Sequence, residues 1–254
     1  MITHPILSEL ATHGVRMGLS NLRAFLEHIG IPANRCPFVV HVGGTNGKGS
    51  VCKMLESIYL EAGYKVGLYT SPHLQRVNER IRVSGIDIDS TQLSTYLENT
   101  HVAAREWSAS EGFDSDIPLT YFEMMTAVAI QHFVQEQADV IILEVGLGGR
   151  LDATNVLDTT VSCIVSIDYD HTDVLGEDLP SIATEKAGII KNGQDVILGM
   201  MNESVDRIFR YIAGTKDATV HQLGQHFNFS MGSEGVSFQS GAFRLEGIKV
   251  GLAG

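Results

Sequence analysis

Apolar residues along the chain fall into short runs of strand character separated by longer stretches of helical period, the pattern of repeated βα units around a mainly parallel sheet. The runs occupy residues 38–42, 65–70, 139–145, 160–167 and 195–198. Between the first two, Val51, Met54, Leu55, Ile58 and Tyr59 recur at i, i+3, i+4, i+7 and i+8. That spacing predicts a helix with one buried face, stopping near Gly63. Further helices are expected over residues 121–137, 181–190 and 203–213, the last ending before Gly214. Residues 80–88 read as a small extended excursion. From His221 the pattern changes to short alternating stretches broken by Gly232, Gly235, Gly241 and Gly247, as antiparallel hairpins require. The expected fold class is α/β: a mainly parallel sheet flanked by helices, with an antiparallel β portion over about residues 221–254, all within one domain spanning residues 1–254.

The first strand-to-helix junction carries the clearest chemistry. Residues 41–50 read HVGGTNGKGS, after a strand of buried type and before an amphipathic helix. Glycines let successive backbone N–H groups face one anion, and the helix N-terminus adds its positive dipole end. Gly44, Thr45, Asn46, Gly47, Lys48, Gly49 and Ser50 are therefore the candidate nucleotide-binding residues, with Lys48 supplying charge to the β- and γ-phosphates and Ser50 within reach of Mg²⁺. A glycine-rich turn with a solvated lysine is the bland alternative, and the flanking elements argue against it. The spacing is GTxGKxS and not the common GxxxxGK[ST], since Val42 stands where the first glycine would be.

Composition narrows the partners. The 254 residues are 44% apolar, enough for a sizeable core, and a formal net charge of −12 argues against a broad nucleic-acid footprint. Cys36, Cys52 and Cys163 form no CxxC pair, so neither a disulfide framework nor a zinc ribbon is indicated, and a reducing cytoplasm is the simplest compartment. No apolar run approaches a membrane span, so no membrane partner is expected.

Three later segments leave predicted strands at the same sheet edge as the glycine loop. Residues 69–74, YTSPHL, offer the Ser71 hydroxyl in a turn stiffened by Pro72, while His73 has no assigned role. Residues 139–144, DVIILE, form an apolar strand ending in a carboxylate, either a plain acidic strand exit or a Walker-B-like arrangement that aims a hard oxygen ligand, Glu144, at metal. Residues 166–176, SIDYDHTDVLG, place His171 among Asp168, Asp170 and Asp173; on chemistry alone a histidine in an acidic loop is usually solvated, and Mg²⁺ prefers oxygen. On the next helix, EKAGIIK carries Lys186, by base rate an exposed lysine. TYFE, residues 120–123, fits a capping box, with Thr120 bonding the N3 amide and Glu123 reaching back.

The GTNGK loop resembles that of the Mur-type ATP-dependent amide ligases. GTNGKGS followed by YTSPHL and NERI is similar in particular to folylpolyglutamate synthase and dihydrofolate synthase. The resemblance implies a ligase that joins a folate or dihydropteroate carboxylate to L-glutamate through an acyl phosphate formed from ATP. It implies two Mg²⁺ sites, the second completed by His171 with Ser71 and Glu144, and a carbamylated lysine at Lys186. Lys48, Lys186 and His171 become the expected catalytic group. Thr120, Tyr121, Phe122 and Glu123 would contact the pterin-bearing substrate, with Phe122 available to stack on a flat ring; Leu151, Asp152 and Ala153 match a second pterin segment, and residues 16–19 lie where the family has a third. Arg16 departs from that pattern, since relatives can carry an acidic residue there. The resemblance further suggests a monomer. Relatives continue into a C-terminal domain that helps bind glutamate and ATP, for which these residues hold no counterpart; a non-catalytic Mg·ATP-binding module is therefore the alternative. A cell-wall Mur ligase, acting on a UDP-linked sugar peptide, is disfavoured by TYFE and SPHL.

Overall fold

A computed structural model describes residues 4–14, 16, 18–36, 38–111 and 118–249. Met17 of the third expected pterin segment and residues 250–254 of the antiparallel portion lie outside them. In chain order the elements are α1 (Pro5–Leu10), α2 (Ser20–His28), β1 (Val39–Gly43), α3 (Lys48–Glu61), β2 (Val66–Tyr69), β3 (Ile81–Val83), β4 (Ile86–Asp87), α4 (Ser90–Ser110), α5 (Tyr121–Gln135), β5 (Val140–Glu144), β6 (Val161–Ile164), α6 (Thr172–Leu175), α7 (Leu179–Ala187), β7 (Asp195–Leu198), α8 (Glu203–Thr215), β8 (Thr219–Gln222), β9 (Phe227–Gly232), β10 (Gly235–Ser240) and β11 (Phe243–Ile248).

Eight strands form one sheet in the order β4-β3-β2-β5-β1-β6-β7-β8. β2, β5, β1, β6, β7 and β8 run parallel, and the excursion expected at 80–88 is the antiparallel β3–β4 pair at one edge. Strand alternation assigns the two faces. Val39, Ile141, Leu143 and Tyr69 join the core under α1, α2, α4 and α5. Val40, Val42, Val66, Leu68, Val140 and Ile142 pack against α3 and its buried Cys52. Gly67 faces α5 so closely that a Cβ there would stand 2.7 Å from the Phe133 ring. A third cluster joins β6 and β7 to α7 and α8, centred on Val196, Leu198 and Phe209.

Several boundaries differ from the sequence expectation. α7 starts at Leu179, where Asp178 accepts the Ser181 N–H at 2.7 Å, and it ends at Ala187 instead of 190. Gly188 packs against Arg150 there, its would-be Cβ only 2.2 Å from the Arg150 Cβ. α5 ends at Gln135, and Gln137 takes a left-handed φ of 55°. The helix α4, capped by Asp89, falls where no helix was expected. The antiparallel portion begins later than His221, because β8 adds in parallel to β7 and only β9–β11 form the separate antiparallel sheet. Among the described residues no helix is long and apolar enough to cross a membrane.

Candidate functional site

Parallel strands deliver their C-terminal ends to one edge, where ligands of open α/β sheets bind. At that edge the chain leaves β1 into the glycine loop, with β5 on one side and β6 on the other. Gly44, at φ +132°, passes so close to the β6 exit that a Cβ would stand 3.0 Å from the Ser166 backbone N and O. Bonds to that segment fix the loop: the Thr45 N–H donates to the Ser166 carbonyl at 2.8 Å, and the Asn46 N–H to the Ser166 Oγ at 3.0 Å. The Thr45 hydroxyl donates to the Asp168 carbonyl and accepts the Asp168 N–H, both at 3.1 Å. Gly47, left-handed at φ +83°, turns the chain into α3, so Lys48, Gly49 and Ser50 form its first turn. N–H groups of a first turn lack intrahelical partners, which makes this end an anion cradle. The Lys48 ammonium donates to the Gly44 and Thr45 carbonyls at 3.0 Å each, lying over its own loop.

Glu144 ends β5 on the α3 face, by the same alternation that puts Val140 and Ile142 there. The residue is 6% exposed; its carboxylate accepts the Ser71 N–H at 3.0 Å and faces Gly49, whose would-be Cβ lies 3.5 Å from Glu144 Oε1. Burial raises the Glu144 pKa; the Ser71 N–H and then Lys48 and Arg80 act against the rise. Ser71 and Glu144 thus meet beside the loop and supply hard oxygen donors of the kind Mg²⁺ takes.

On the other flank, Lys186 is 2% exposed at the end of α7 and not the surface lysine of the base rate. Its ammonium donates to the Gly44 carbonyl at 3.0 Å and to Asp170 at 3.2 Å. Gly44 O therefore accepts from both Lys48 and Lys186. Burial lowers the Lys186 pKa, while Asp170 partly restores it. His171, left-handed at φ 43°, heads α6; its Nε2 lies 3.5 Å from Asp170, and its side chain is 58% exposed. Asp170 thus joins His171 to Lys186. Among the described residues no group of three His, Cys, Asp or Glu side chains gathers into a metal cluster.

A cavity of about 480 Å³ opens beside this edge, and its lining includes Ser71 together with Thr120, Tyr121, Phe122, Glu123, Leu151, Asp152 and Ala153. The capping box forms: Glu123 accepts the Thr120 N–H at 2.8 Å and its hydroxyl at 2.9 Å, and the Glu123 N–H reaches Thr120 Oγ1 at 3.4 Å. Arg16 closes that corner, pairing with the buried Glu123 at 2.8 Å and donating to the Pro118 carbonyl at 2.7 Å. Phe122 packs over Gly146, whose would-be Cβ lies 2.6 Å from the ring, so a side chain there would displace this wall. Buried Asp152 accepts the Gly146 and Leu147 N–H groups at 3.1 and 2.8 Å and bonds the Thr154 hydroxyl. Thr154 in turn meets His41 Nε2 at 2.8 Å, so one buried chain links the loop-bearing strand β1 to the cavity. Burial drives the His41 pKa down to about 3, keeping the ring neutral.

Sequence reading left Asp170, Arg80, His73 and His41 without a role, and all four stand at the site or directly beneath it. All four sit in motifs that were singled out, but the contacts of Asp170 with Lys186 and of His41 with Thr154 span 16 and 113 residues, which no motif records.

Glycine loop, acid-ended strand and parallel sheet together define a phosphate-loop α/β domain. The chain belongs to the Mur ligase middle domain family, which matches residues 42–251. It is similar to the dihydrofolate synthase/folylpolyglutamate synthase of Escherichia coli (strain K12), 40% identical over 246 residues, covering 97% of this chain and 55% of that protein. The structure of E. coli FolC in complex with DHPP and ADP superposes with a TM-score of 0.86 at 39% identity, covering 96% of this chain and 56% of that one. A bifunctional folylpolyglutamate synthase/dihydrofolate synthase from Yersinia pestis, complexed with AMPPNP and Mn ion, gives 0.82 at 38% identity, with coverages of 96% and 56%. The chain thus spans about half the length of the curated relatives it matches, and family and fold relate it to ATP-using ligases.

Proposed function

We propose that this chain carries the Mg·ATP-binding and pterin-acid-binding part of a ligase that joins the carboxylate of a folate or dihydropteroate to L-glutamate. The observation that carries this reading is the cavity of about 480 Å³ whose lining residue Ser71 also donates to Glu144 beside the phosphate loop. A site for a flat aromatic acid and a site for a nucleotide are contiguous there.

In this reading the first-turn N–H groups from Lys48 to Ser50 and the Lys48 ammonium hold the β- and γ-phosphates. Tyr121 and Phe122 hold the ring system, with Leu151, Asp152 and Ala153 lining the same cavity. A carboxylate oxygen of the acid forms a bond to the γ-phosphorus as the bond from that phosphorus to the ADP oxygen breaks. The glutamate amine then attacks the acyl carbon, phosphate leaves, and the amine proton passes to solvent. Lys48 and the loop amides act by positioning and by balancing charge that grows on the transferring group. Ser71 and Glu144 would hold Mg²⁺, with His171 as the third ligand; the ion supplies charge neutralisation at the phosphates. Lys186 would carry a carbamate: burial that lowers its pKa favours the neutral amine that CO₂ requires, and Lys48 stands beside it as counter-cation. A mass spectrum under CO₂-replete conditions lacking the added mass of one CO₂ at Lys186 rejects that modification.

A second reading, a Mg·ATP-binding module that does not complete ligation by itself, is favoured by the share of the relatives' length that the chain spans, 55% for the E. coli protein. One assay separates the two: ATP- and glutamate-dependent ligation of dihydropteroate or tetrahydrofolate by these 254 residues. Product supports the ligase; retained Mg·ATP binding without product supports the module.

A further inference from the structure

Each residue of the NERI motif has a distinct task. Asn78 donates to the Ile88 carbonyl at 2.7 Å, tying the motif to β4's exit, and Ile81 is fully buried in the core. Glu79 accepts the N–H groups of Leu74, Gln75 and Arg76 at 2.8, 3.0 and 2.8 Å, which fixes the loop after SPHL. Three amides on one carboxylate hold its pKa below the usual range, so the clamp stays ionised. Arg80 remains, and its setting is unusual for a cation.

Arg80 is 9% exposed and lines the cavity. Its Nε donates to His73 Nδ1 at 2.9 Å, and the guanidinium carbon lies 5.5 Å from the centroid of the Tyr121 ring. The His73 Nδ1 that receives this bond acts as the acceptor, so the contact orients the guanidinium without neutralising it. Among the described residues no carboxylate forms an ion pair with Arg80, whereas Arg16 in the same cavity pairs with Glu123 and buried Lys186 pairs with Asp170. A guanidinium nine-tenths buried is costly without a counter-anion in contact, and Glu144, whose pKa its charge lowers, forms no ion pair with it. Its terminal N–H groups form the planar fork that matches a carboxylate. The backbone brings Arg80 beside the phosphate edge, where Thr70 N–H donates to the Arg80 carbonyl at 2.9 Å and the next residue, Ser71, donates to Glu144, on which the Arg80 charge acts.

We infer that Arg80, oriented by His73 and stacked on Tyr121, binds the reacting carboxylate of the acid substrate at the end of the cavity nearest the phosphate loop. The inference rests on the pterin-acid reading above and deepens it by naming the group that grips the reacting end. Arg80 donates hydrogen bonds only and keeps its protons. One carboxylate oxygen is held while the other forms the bond to the γ-phosphorus, and the electron pair of the broken phosphorus–oxygen bond leaves with ADP.

The test compares dihydropteroate with its carboxamide, in which the charge is removed and the ring system kept, by calorimetry on the 254-residue chain. A charge-assisted pair at a buried site predicts that the wild type prefers the carboxylate by about ten- to a hundredfold. Arg80→Gln makes the two affinities nearly equal. Arg80→Lys, which keeps a cation in the cavity and so guards against misfolding, retains part of the preference because the fork is lost. A full preference in both variants, or equal binding of the two ligands by the wild type, overturns the inference while leaving the pterin-acid reading intact. If the wild type binds neither ligand, that reading fails and the inference falls with it.

Discussion

The phosphate loop takes its shape from peptide and hydroxyl bonds to one neighbouring segment, residues 165–168, whereas the cavity is assembled from side chains of five segments scattered between residues 11 and 153. The two regions share Ser71 and are joined beneath by His41, Thr154 and Asp152. The loop owes its form to glycines, peptide groups and the hydroxyls of Thr45 and Ser166, so few other side-chain changes can alter it. The cavity depends on fitted rings and buried ion pairs, so single substitutions should reshape it. Damage on one side is therefore expected to leave binding on the other largely intact.

Lys48→Ala gives the largest separation. Loss of the loop cation removes about 2–3 kcal/mol of charge-assisted bonding to phosphate, which lowers ATP affinity by more than tenfold while dihydropteroate affinity is unchanged. Calorimetry with each ligand reads both, and ATP binding that survives undiminished sinks the assignment of this loop.

The link beneath both regions predicts an acid transition. The His41 pKa lies at about 3 in the folded chain against 6.5 as the ordinary value, so the unfolded state takes up a proton first as pH falls. Stability is then complete above about pH 6.5 and declines toward pH 3, with about 2–3 kcal/mol lost by roughly pH 4.5. Urea titrations across that range should show a shallower decline in His41→Gln, whose amide can still meet Thr154. An identical slope in the two proteins would exclude His41 as the cause.

Gly146→Ala acts on the cavity alone. The new methyl meets Phe122 at 2.6 Å, and the ring must move at a cost of about 1–3 kcal/mol. Dihydropteroate binding weakens and ATP binding does not; equal loss of both would break the proposed independence of the two sides. The smallest effect belongs to Arg16→Ala. It strips one partner from buried Glu123, but Arg16 is 37% exposed, so the expected loss is about 1 kcal/mol of stability, visible as a lowered melting temperature. A melting temperature unchanged from wild type would mean that Thr120 alone satisfies Glu123.

The same contrast explains what was readable in the chain. The loop, α3 and the five predicted parallel strands were legible because each rests on local rules: left-handed glycines, an apolar face of helical period, and runs of buried-strand type. The capping box of Thr120 and Glu123 was legible for the same reason. α4 was not, since its buried stripe of Leu93, Leu97, Thr100, Ala104 and Trp107 is interrupted by a hydroxyl and a methyl. β8 was not, because a four-residue strand with one fully buried residue declares its direction only through β7.

The sequence by itself determined the α/β class, the phosphate loop and the order of the motifs, since these depend on neighbours within a few turns of chain. Tertiary structure alone decided that Lys186 is buried against Gly44 and Asp170, that Asp170 joins it to His171, and that Arg80 faces a cavity and not solvent. Burial and charge pairing are properties of groups brought together across the chain, and spacing carries no record of them until the sheet gathers its strand ends at one edge.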